Sequence, residues 1–255
     1  MNRFLLAIDI GNTIIGIGVM QGKKVIKTYR VETSLLNRQV ASKLKKVFRI
    51  IRRQYPALKD VIICSVVPPK LQIVSQAAHQ IFGTKPYIIG KDIHVPIKNR
   101  YRNPKQVGQD RLVGAYAALL YYGAPAIVID FGTATTFDVV SAKGEYLGGI
   151  IVPGIRLSAE SLFNKTALLP KIKIKGPGSL IGKDTEESIL SGLFYGYGAL
   201  STGLIERIGR TFPKRPKVIV TGGHIPLIKK FISQKLDAVD QDLVFKGIEL
   251  LFRVR

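Results

Sequence analysis

The sequence predicts an α/β protein made of two tandem copies of one fold, each a mixed central sheet flanked by helices. Three observations carry that prediction. Strand-like apolar runs alternate with stretches of helical period along all 255 residues. The opening strand and turn, Leu5-Leu6-Ala7-Ile8-Asp9-Ile10-Gly11-Asn12, return as Ala126-Ile127-Val128-Ile129-Asp130-Phe131-Gly132-Thr133, so the two aspartates stand 121 residues apart. The next turn returns too, Ala142-Lys143-Gly144 answering Gln21-Gly22-Lys23 with one residue added. The period is too long for a solenoid. It implies two domains, 1–117 and 118–255, joined near residues 114–124.

The elements follow in order. Phe4 to Ile10, Ile14 to Met20 and Val25 to Val31 form a three-stranded meander, its strands separated by Gly-containing turns. In 35–54 the apolar positions Leu36, Val40, Leu44, Val47, Phe48 and Ile51 recur every three or four residues, a helix with one apolar face. Its other faces are crowded with Lys43, Lys46, Arg49 and Arg53. They form either a surface for membrane or DNA or the solvated side of a packing helix, and the second reading is favoured. Val61 to Val67 is a buried strand carrying Cys64, a core cysteine rather than a nucleophile because no partner base is in view. Helix 70–82, a short strand from Pro86 to Ile89, a polar stretch from Lys98 to Pro104 and a helix from Asp110 to Tyr122 complete the first half.

In the second half the strand at 126–131 is followed by an alternating strand, by Tyr146 to Val152, and by a helix from Gly154. Residues 164–183 are irregular, with Lys171-Ile172-Lys173-Ile174-Lys175 alternating as a short exposed strand does. A long helix covers about 185–210. Lys217 to Val220 is a strand ending in Thr221-Gly222-Gly223, and helices lie near 224–234 and 241–252.

Composition narrows the function classes. Apolar residues make up 46% and charged residues 22%, the balance of a globular protein and not of a disordered one. The single cysteine excludes an internal disulfide and a cysteine-based zinc site, and His79, His94 and His224 show no ligand spacing. No apolar run reaches the roughly 18 residues of a membrane span. The N-terminus meets Asp9 too early for a signal peptide, so a cytoplasmic protein is expected. Thirty-nine basic residues against seventeen acidic ones leave a net charge of +22. Such a field attracts polyanions non-specifically and steers small anions such as nucleotides and carboxylates. Because the charge is spread along the chain and no base-reading motif is present, specific nucleic-acid binding is not expected. Two classes stay open, a nucleic-acid binder and an enzyme for anionic substrates.

The chemistry concentrates in the paired turns. In each, a buried strand delivers an aspartate, then a glycine, then small hydroxyl or amide residues. Glycine lets a phosphate approach the main chain, and the N–H groups that follow can hold its oxygens. The carboxylate at the strand end can hold a hydrated divalent metal or a monovalent cation. One such loop is weak evidence; two at equivalent places of a duplication point to a nucleotide gripped by both. Thr221-Gly222-Gly223, after a third buried strand, suits a nucleoside contact. The chain carries neither the GxGxxG fingerprint nor the GxxxxGK[ST] P-loop. A further cluster, Tyr101 to Arg111, brings Gly108 just before a helix with Asp110 in its first turn and Arg111 beside it. A carboxylate there can take a proton from an alcohol attacking phosphorus, and the guanidinium can hold an anionic group. On spacing alone, an ordinary N-terminal helix charge with its ion pair is the preferred account.

Two phosphate loops and a late Gly-rich loop resemble the layout of the actin, sugar-kinase and Hsp70 superfamily. That resemblance implies two ribonuclease-H-like (actin-like ATPase) domains. More specifically, the sequence resembles the type III pantothenate kinases, also known as the Bvg accessory factor family. The resemblance rests on Asp9-Ile10-Gly11-Asn12-Thr13, Asn103-Pro104 with Gly108-Gln109-Asp110-Arg111, and the run from Asp130 through Thr136 to Gly148-Gly149 and Pro153-Gly154. It continues through Thr166 to Pro170, Ile181 to Thr185 and Thr221 to Gly223, in family order and over nearly the whole chain.

The resemblance implies ATP-dependent phosphorylation of the terminal hydroxyl of pantothenate, the first step toward coenzyme A. It implies that Asp9, Ile10, Gly11, Asn12, Thr13, Ile14, Ile15 and Gly16 form the first ATP phosphate loop, with Asp9 near the Mg2+-bound phosphates, and that Thr133 contacts ATP. It makes Asp110 the general base and Tyr101, Gly108, Gln109, Asp110, Arg111 and Thr185 the pantothenate contacts. Asp130 becomes the ligand of a monovalent cation, potassium or ammonium. A homodimer is implied, with the substrate site bordering the subunit interface. Where the family more often has Asn, this chain has Asp184, which adds negative charge near an anionic substrate. The alternatives are a non-catalytic transcription accessory or nucleic-acid-associated regulator on the same fold, a filament protein, and a kinase for another hydroxy acid or sugar.

Overall fold

The structure is a computed structural model that describes residues 3–254. Its α-carbon contacts divide the chain into two compact units, and the division falls between Ala117 and Ala118. The first unit holds residues up to Ile97, Tyr101–Ala117 and the C-terminal stretch from Asp242; the second holds Lys98–Arg100 and Ala118–Gln241. The expected second domain, 118–255, therefore loses its last residues to the first unit. The cause is the apolar face of the final helix, where Leu243, Ile248 and Leu251 are fully buried.

In the first unit, β1 (Phe4–Ile10), β2 (Ile14–Gln21), β3 (Lys24–Glu32), β4 (Asp60–Ser65) and β5 (Tyr87–Ile88) form one sheet of order β3-β2-β1-β4-β5. β1 is antiparallel to β2 and parallel to β4, so Asp9 sits opposite Gly16 on one side and Cys64 on the other. Strand residues of one parity, among them Ile8, Ile10, Ile15, Ile17 and Ile63, are covered by α1 (Asn37–Gln54) and α2 (Pro68–Phe82). The helical period puts Val40, Leu44, Phe48 and Ile51 of α1 into that core, and the basic residues fall outside it. Arg38, Lys43, Lys46, Arg49 and Arg53 are all exposed, so the basic faces of α1 are the solvated side of a packing helix. Burying each large apolar side chain of this core contributes about 1.5–3 kcal/mol. The opposite parity of β2 presents Gly16 and Gly18, and the Phe245 ring of α7 (Leu243–Arg253) lies against both. Two missing side chains thus make the seat for α7. Cys64 is wholly buried in this sheet, as expected of a core cysteine.

The second unit repeats the pattern. β6 (Ala126–Phe131), β7 (Ala134–Val140), β8 (Tyr146–Pro153), β9 (Lys217–Thr221) and β10 (Ala238–Val239) form a sheet of order β10-β9-β6-β7-β8. Again the first strand is antiparallel to its hairpin partner and parallel to the strand on its other side. Asp130 faces Thr136 and Thr221 as Asp9 faces Gly16 and Cys64. α4 (Ile155–Lys165) and α5 (Thr185–Gly209) pack Ile155, Ile189, Leu193 and Phe194 into the core with Ile129, Phe131 and Val220. α3 (Gln109–Tyr122) carries the chain across the division.

Three local expectations change. Residues 171–175 form no strand: Ile172 and Ile174 pack on the core while the lysines between them are exposed, so the alternation comes from a loop laid over apolar surface without a ladder partner. The helix near 224–234 is shorter and divides into α6 (Ile225–Ile228) and a 3-10 turn over Lys229–Phe231. β10 was not foreseen, because two residues are too few to show a period. No described helix is long and apolar enough to cross a membrane.

Candidate active site

In the first unit the loop between β1 and β2 is built by short contacts. Gly11 N–H donates to the Ile14 carbonyl at 3.0 Å, which closes a tight turn around Asn12 and Thr13. Thr33, at the end of β3 and buried, holds the turn from outside. Its Oγ1 donates to the Gly11 carbonyl at 2.8 Å and its N–H to the Thr13 carbonyl at 2.9 Å. Thr33 escaped sequence reasoning because nothing in its own neighbourhood sets it apart. Asp9, one residue before the last strand position, is half-buried in an otherwise buried run.

Asp110 lies in the same unit. It falls in the first turn of α3, where its Oδ1 accepts from the Arg111 N–H at 2.8 Å. The preceding Gly108 is a requirement of space: a Cβ there would stand 2.5 Å from Asp110 Oδ1 and 3.4 Å from Val66 Cγ1. Burial pushes the Asp110 carboxyl above its ordinary value, against the opposing pull of the Arg111 N–H and guanidinium. A helix-terminal charge would ordinarily be held down; here desolvation outweighs that pull. The thiol of Cys64 is pushed well up by burial and then by the negative charges of Asp9 and Asp110. The two aspartates therefore share one electrostatic neighbourhood. Gln109 turns its side chain onto Gly90, and Tyr101 is half-buried.

In the second unit Asp130 precedes the turn at Gly132 and Thr133. The Gly154 N–H donates to the Thr133 carbonyl at 3.0 Å and so pins that turn to the start of α4. The late Gly-rich loop comes to the same place. A Cβ on Gly222, whose φ is +98°, would stand 2.3 Å from Asp130 Oδ1 and 2.6 Å from the Phe131 main chain. His224 N–H donates to the Phe131 carbonyl at 3.1 Å. Asp130, Gly132, Thr133 and Gly222 are thus brought together. Among the described residues no group of three or more His, Cys, Asp or Glu could hold a metal ion.

Thr185 occupies a different feature of the second unit. It is exposed at the start of α5 and lines a cavity of about 640 Å³ with Leu162, Leu169, Asp184, Ile189 and Leu193. Asp184 caps the helix: its Oδ1 accepts from Glu187 N–H at 2.8 Å, while Glu187 accepts from Lys183 N–H at 2.9 Å. Asn would satisfy the same N–H, so the cap itself does not require the acid.

The sequence profile described as type III pantothenate kinase matches residues 5–207. A type III pantothenate kinase of Persephonella marina is 45% identical over 248 residues, covering 96% of each chain. That of Syntrophotalea carbinolica is 38% identical over 250 residues, 97% of this chain and 98% of the relative. Among solved structures, the ethanolamine utilization protein EutJ of Carboxydothermus hydrogenoformans superposes with a TM-score of 0.56 at 13% identity, covering 98% of this chain and 90% of its own. The ROK hexokinase of Thermus thermophilus does so with a TM-score of 0.51 at 13% identity, over 99% of both. At such identity these two structures speak for the fold alone.

Proposed function

Because the chain belongs to the type III pantothenate kinase family, an ATP-dependent kinase of pantothenate at the entry to coenzyme A synthesis, we propose that Asp110 is its general base. The observation that supports this role is the Asp110 carboxylate: half-buried at the start of α3, raised above its ordinary value by desolvation, and given its space by Gly108. In this reading Asp110 takes the proton of the pantothenate hydroxyl as that oxygen attacks the γ-phosphorus. Arg111, Tyr101, Gly108, Gln109 and Thr185 hold pantothenate. Asp9 through Gly16, with Thr133, receive the phosphates through main-chain N–H groups, and Asp9 faces the phosphate-bound Mg2+. Phosphoryl transfer asks for positioning and charge neutralisation more than for covalent chemistry, which is what such loops supply.

The monovalent cation belongs to the same proposal, with Asp130 as its ligand. When bound, such an ion supplies positive charge beside the transferring phosphate. The donor set fits, since one carboxylate pressed between Gly132 and Gly222 offers oxygen without the multi-carboxylate cage that a resident divalent ion would use. Asp130→Ala should lose most of the rate increase that potassium gives over sodium and keep its fold. An unchanged potassium response, read from ADP release in the two salts, would remove Asp130 from this role. A cytoplasmic homodimer completes the reading. Leu168 and Ile181, 92% and 79% exposed near the Thr185 cavity, support a partner surface there. Light scattering of the purified chain tests it, a monomer at micromolar concentration being the adverse result.

The test of the whole is ADP release with ATP and magnesium, with and without pantothenate, in potassium and in sodium. Pantothenate-dependent release that needs potassium is expected. Release that ignores pantothenate would transfer the substrate assignment to another hydroxyl compound.

A further inference from the structure

The turn at Gly132 and Thr133 lies against Pro153 and Gly154, where β8 ends and α4 is about to begin. The approach is close. A Cβ on Gly154 would stand 2.3 Å from the Thr133 carbonyl oxygen and 2.5 Å from that of Gly132, so only glycine fits there. The Gly154 N–H bonds the Thr133 carbonyl, and the Gly154 carbonyl accepts the Ser158 N–H at 2.9 Å. Pro153 sits opposite Ala134, the residue that follows the turn on β7. A shift of the Pro153–Gly154 junction would therefore pass directly to Gly132 and Thr133.

The junction has little of its own to anchor it, since proline lacks an N–H and glycine a side chain. The hold comes from α5. The Tyr197 hydroxyl donates to the Pro153 carbonyl and lies 2.8 Å from Ser158 Oγ in α4. A phenol has one proton to give. With that proton on Pro153, Ser158 is the donor to Tyr197, and each bond of the chain polarises the next. Tyr197 stands on a firm base: Leu193, Phe194 and Gly198 beside it on α5 are buried, and its ring packs on the same core. Neither hydroxyl has a part in the mechanism above.

We propose that Tyr197 is a positioning residue for ATP: its hydroxyl, backed by Ser158, fixes the Pro153–Gly154 junction and through it sets the Gly132–Thr133 turn for phosphate before the nucleotide arrives. The proposal rests on the reading of that turn as a phosphate loop. Tyr197→Phe keeps the ring in the core and removes the hydroxyl alone. It should raise the KM for ATP and weaken ADP binding by about 3–10-fold, the worth of one neutral hydrogen bond. kcat and the KM for pantothenate should change less than about twofold, because the brace bears on nucleotide affinity and not on proton transfer at Asp110. Ser158→Ala should move the same two quantities in the same direction. Added to Tyr197→Phe it should cost little more, since it acts through the hydroxyl already removed.

Steady-state kinetics of the parent, the two single variants and the double variant, with ADP titrations by calorimetry, decide the matter. An ATP KM and an ADP affinity that stay at parental values in Tyr197→Phe overturn the proposal, whatever its melting temperature does. So do losses that fall equally on ATP and pantothenate, the mark of a residue that only packs α4 on α5. Losses from Ser158 and Tyr197 that simply add overturn the chain between them. If the parent binds ADP without turning over pantothenate, the calorimetric comparison still decides for or against Tyr197. A parent that neither binds ADP nor releases it from ATP overturns the phosphate-loop reading, and the brace with it.

Discussion

Asp110→Asn should lower pantothenate-dependent ADP release by about 10²–10⁴-fold, the usual contribution of a general base, and at neutral pH it should also unfold at a higher temperature than the parent. The two effects have one cause. The partly desolvated carboxylate holds its proton more tightly in the folded chain than in the unfolded one. Between the ordinary aspartate value, about 3.9, and the raised folded one, the native state carries more proton than the unfolded state, so stability falls as pH rises. Above the folded value that penalty is complete. Asn removes the charge but keeps an oxygen to accept the Arg111 N–H, which Asp110 now receives at 2.8 Å. The advantage of Asn should therefore be full at neutral pH and vanish below about pH 4. A gain of about 1 kcal/mol would appear as about 2–4 °C in a chain of this size. The acid limb of kcat/KM should lie above the ordinary aspartate value for the same reason. A variant that keeps near-parental turnover ends the base assignment. One that is inactive but less stable at neutral pH argues instead that Asp110 serves the helix end.

The parts of this site differ in how well the sequence displays them. The strand-Asp-x-Gly turns were legible because they occur twice, and repetition turns a common turn into a signal; in the structure the two aspartates take equivalent places between antiparallel and parallel neighbours. Asp110 stood out only through resemblance, since a first-turn aspartate is ordinary. The desolvation that raises its carboxyl comes from packing in three dimensions, which spacing does not encode. Thr33 and Phe245 support the first loop from the third strand and from the last helix. Neither carries a local pattern, because both act through contacts more than twenty residues away. The return of α7 to the first sheet was hidden for a related reason. Its apolar period declares a buried face, but the seat it fills is made of Gly16 and Gly18, residues that read as loose strand positions. The lysine-isoleucine alternation at 171–175 misled for the converse reason: period 2 records which side chains are buried, and a ladder needs a partner strand as well.

Gly222 and Gly223 look interchangeable in sequence, yet alanine at the two positions should give opposite results. At Gly222 a Cβ would meet Asp130 Oδ1 at 2.3 Å and the main-chain N and C of Phe131 at 2.6 Å, with φ at +98°. A carboxylate can swing aside; the main chain of a central strand cannot do so without moving the turn that follows it. Overpacking of this kind costs about 1–3 kcal/mol, and the left-handed backbone adds about 1 kcal/mol more for a residue with a Cβ. Gly222→Ala should therefore lower the thermal midpoint by several degrees and reduce turnover at least tenfold. Its response to potassium should fall as well, because the displaced group is Asp130. Gly223 has nothing within 4 Å of its would-be Cβ and an ordinary φ. Gly223→Ala should fold as the parent does, and any loss of turnover should be in the KM for ATP, as expected of a residue that faces solvent beside a nucleotide. Melting curves and ATP titrations of the pair separate the two roles that one Gly-Gly dipeptide combines. If both variants behave alike, the packing of the late loop on Asp130 does not govern the site.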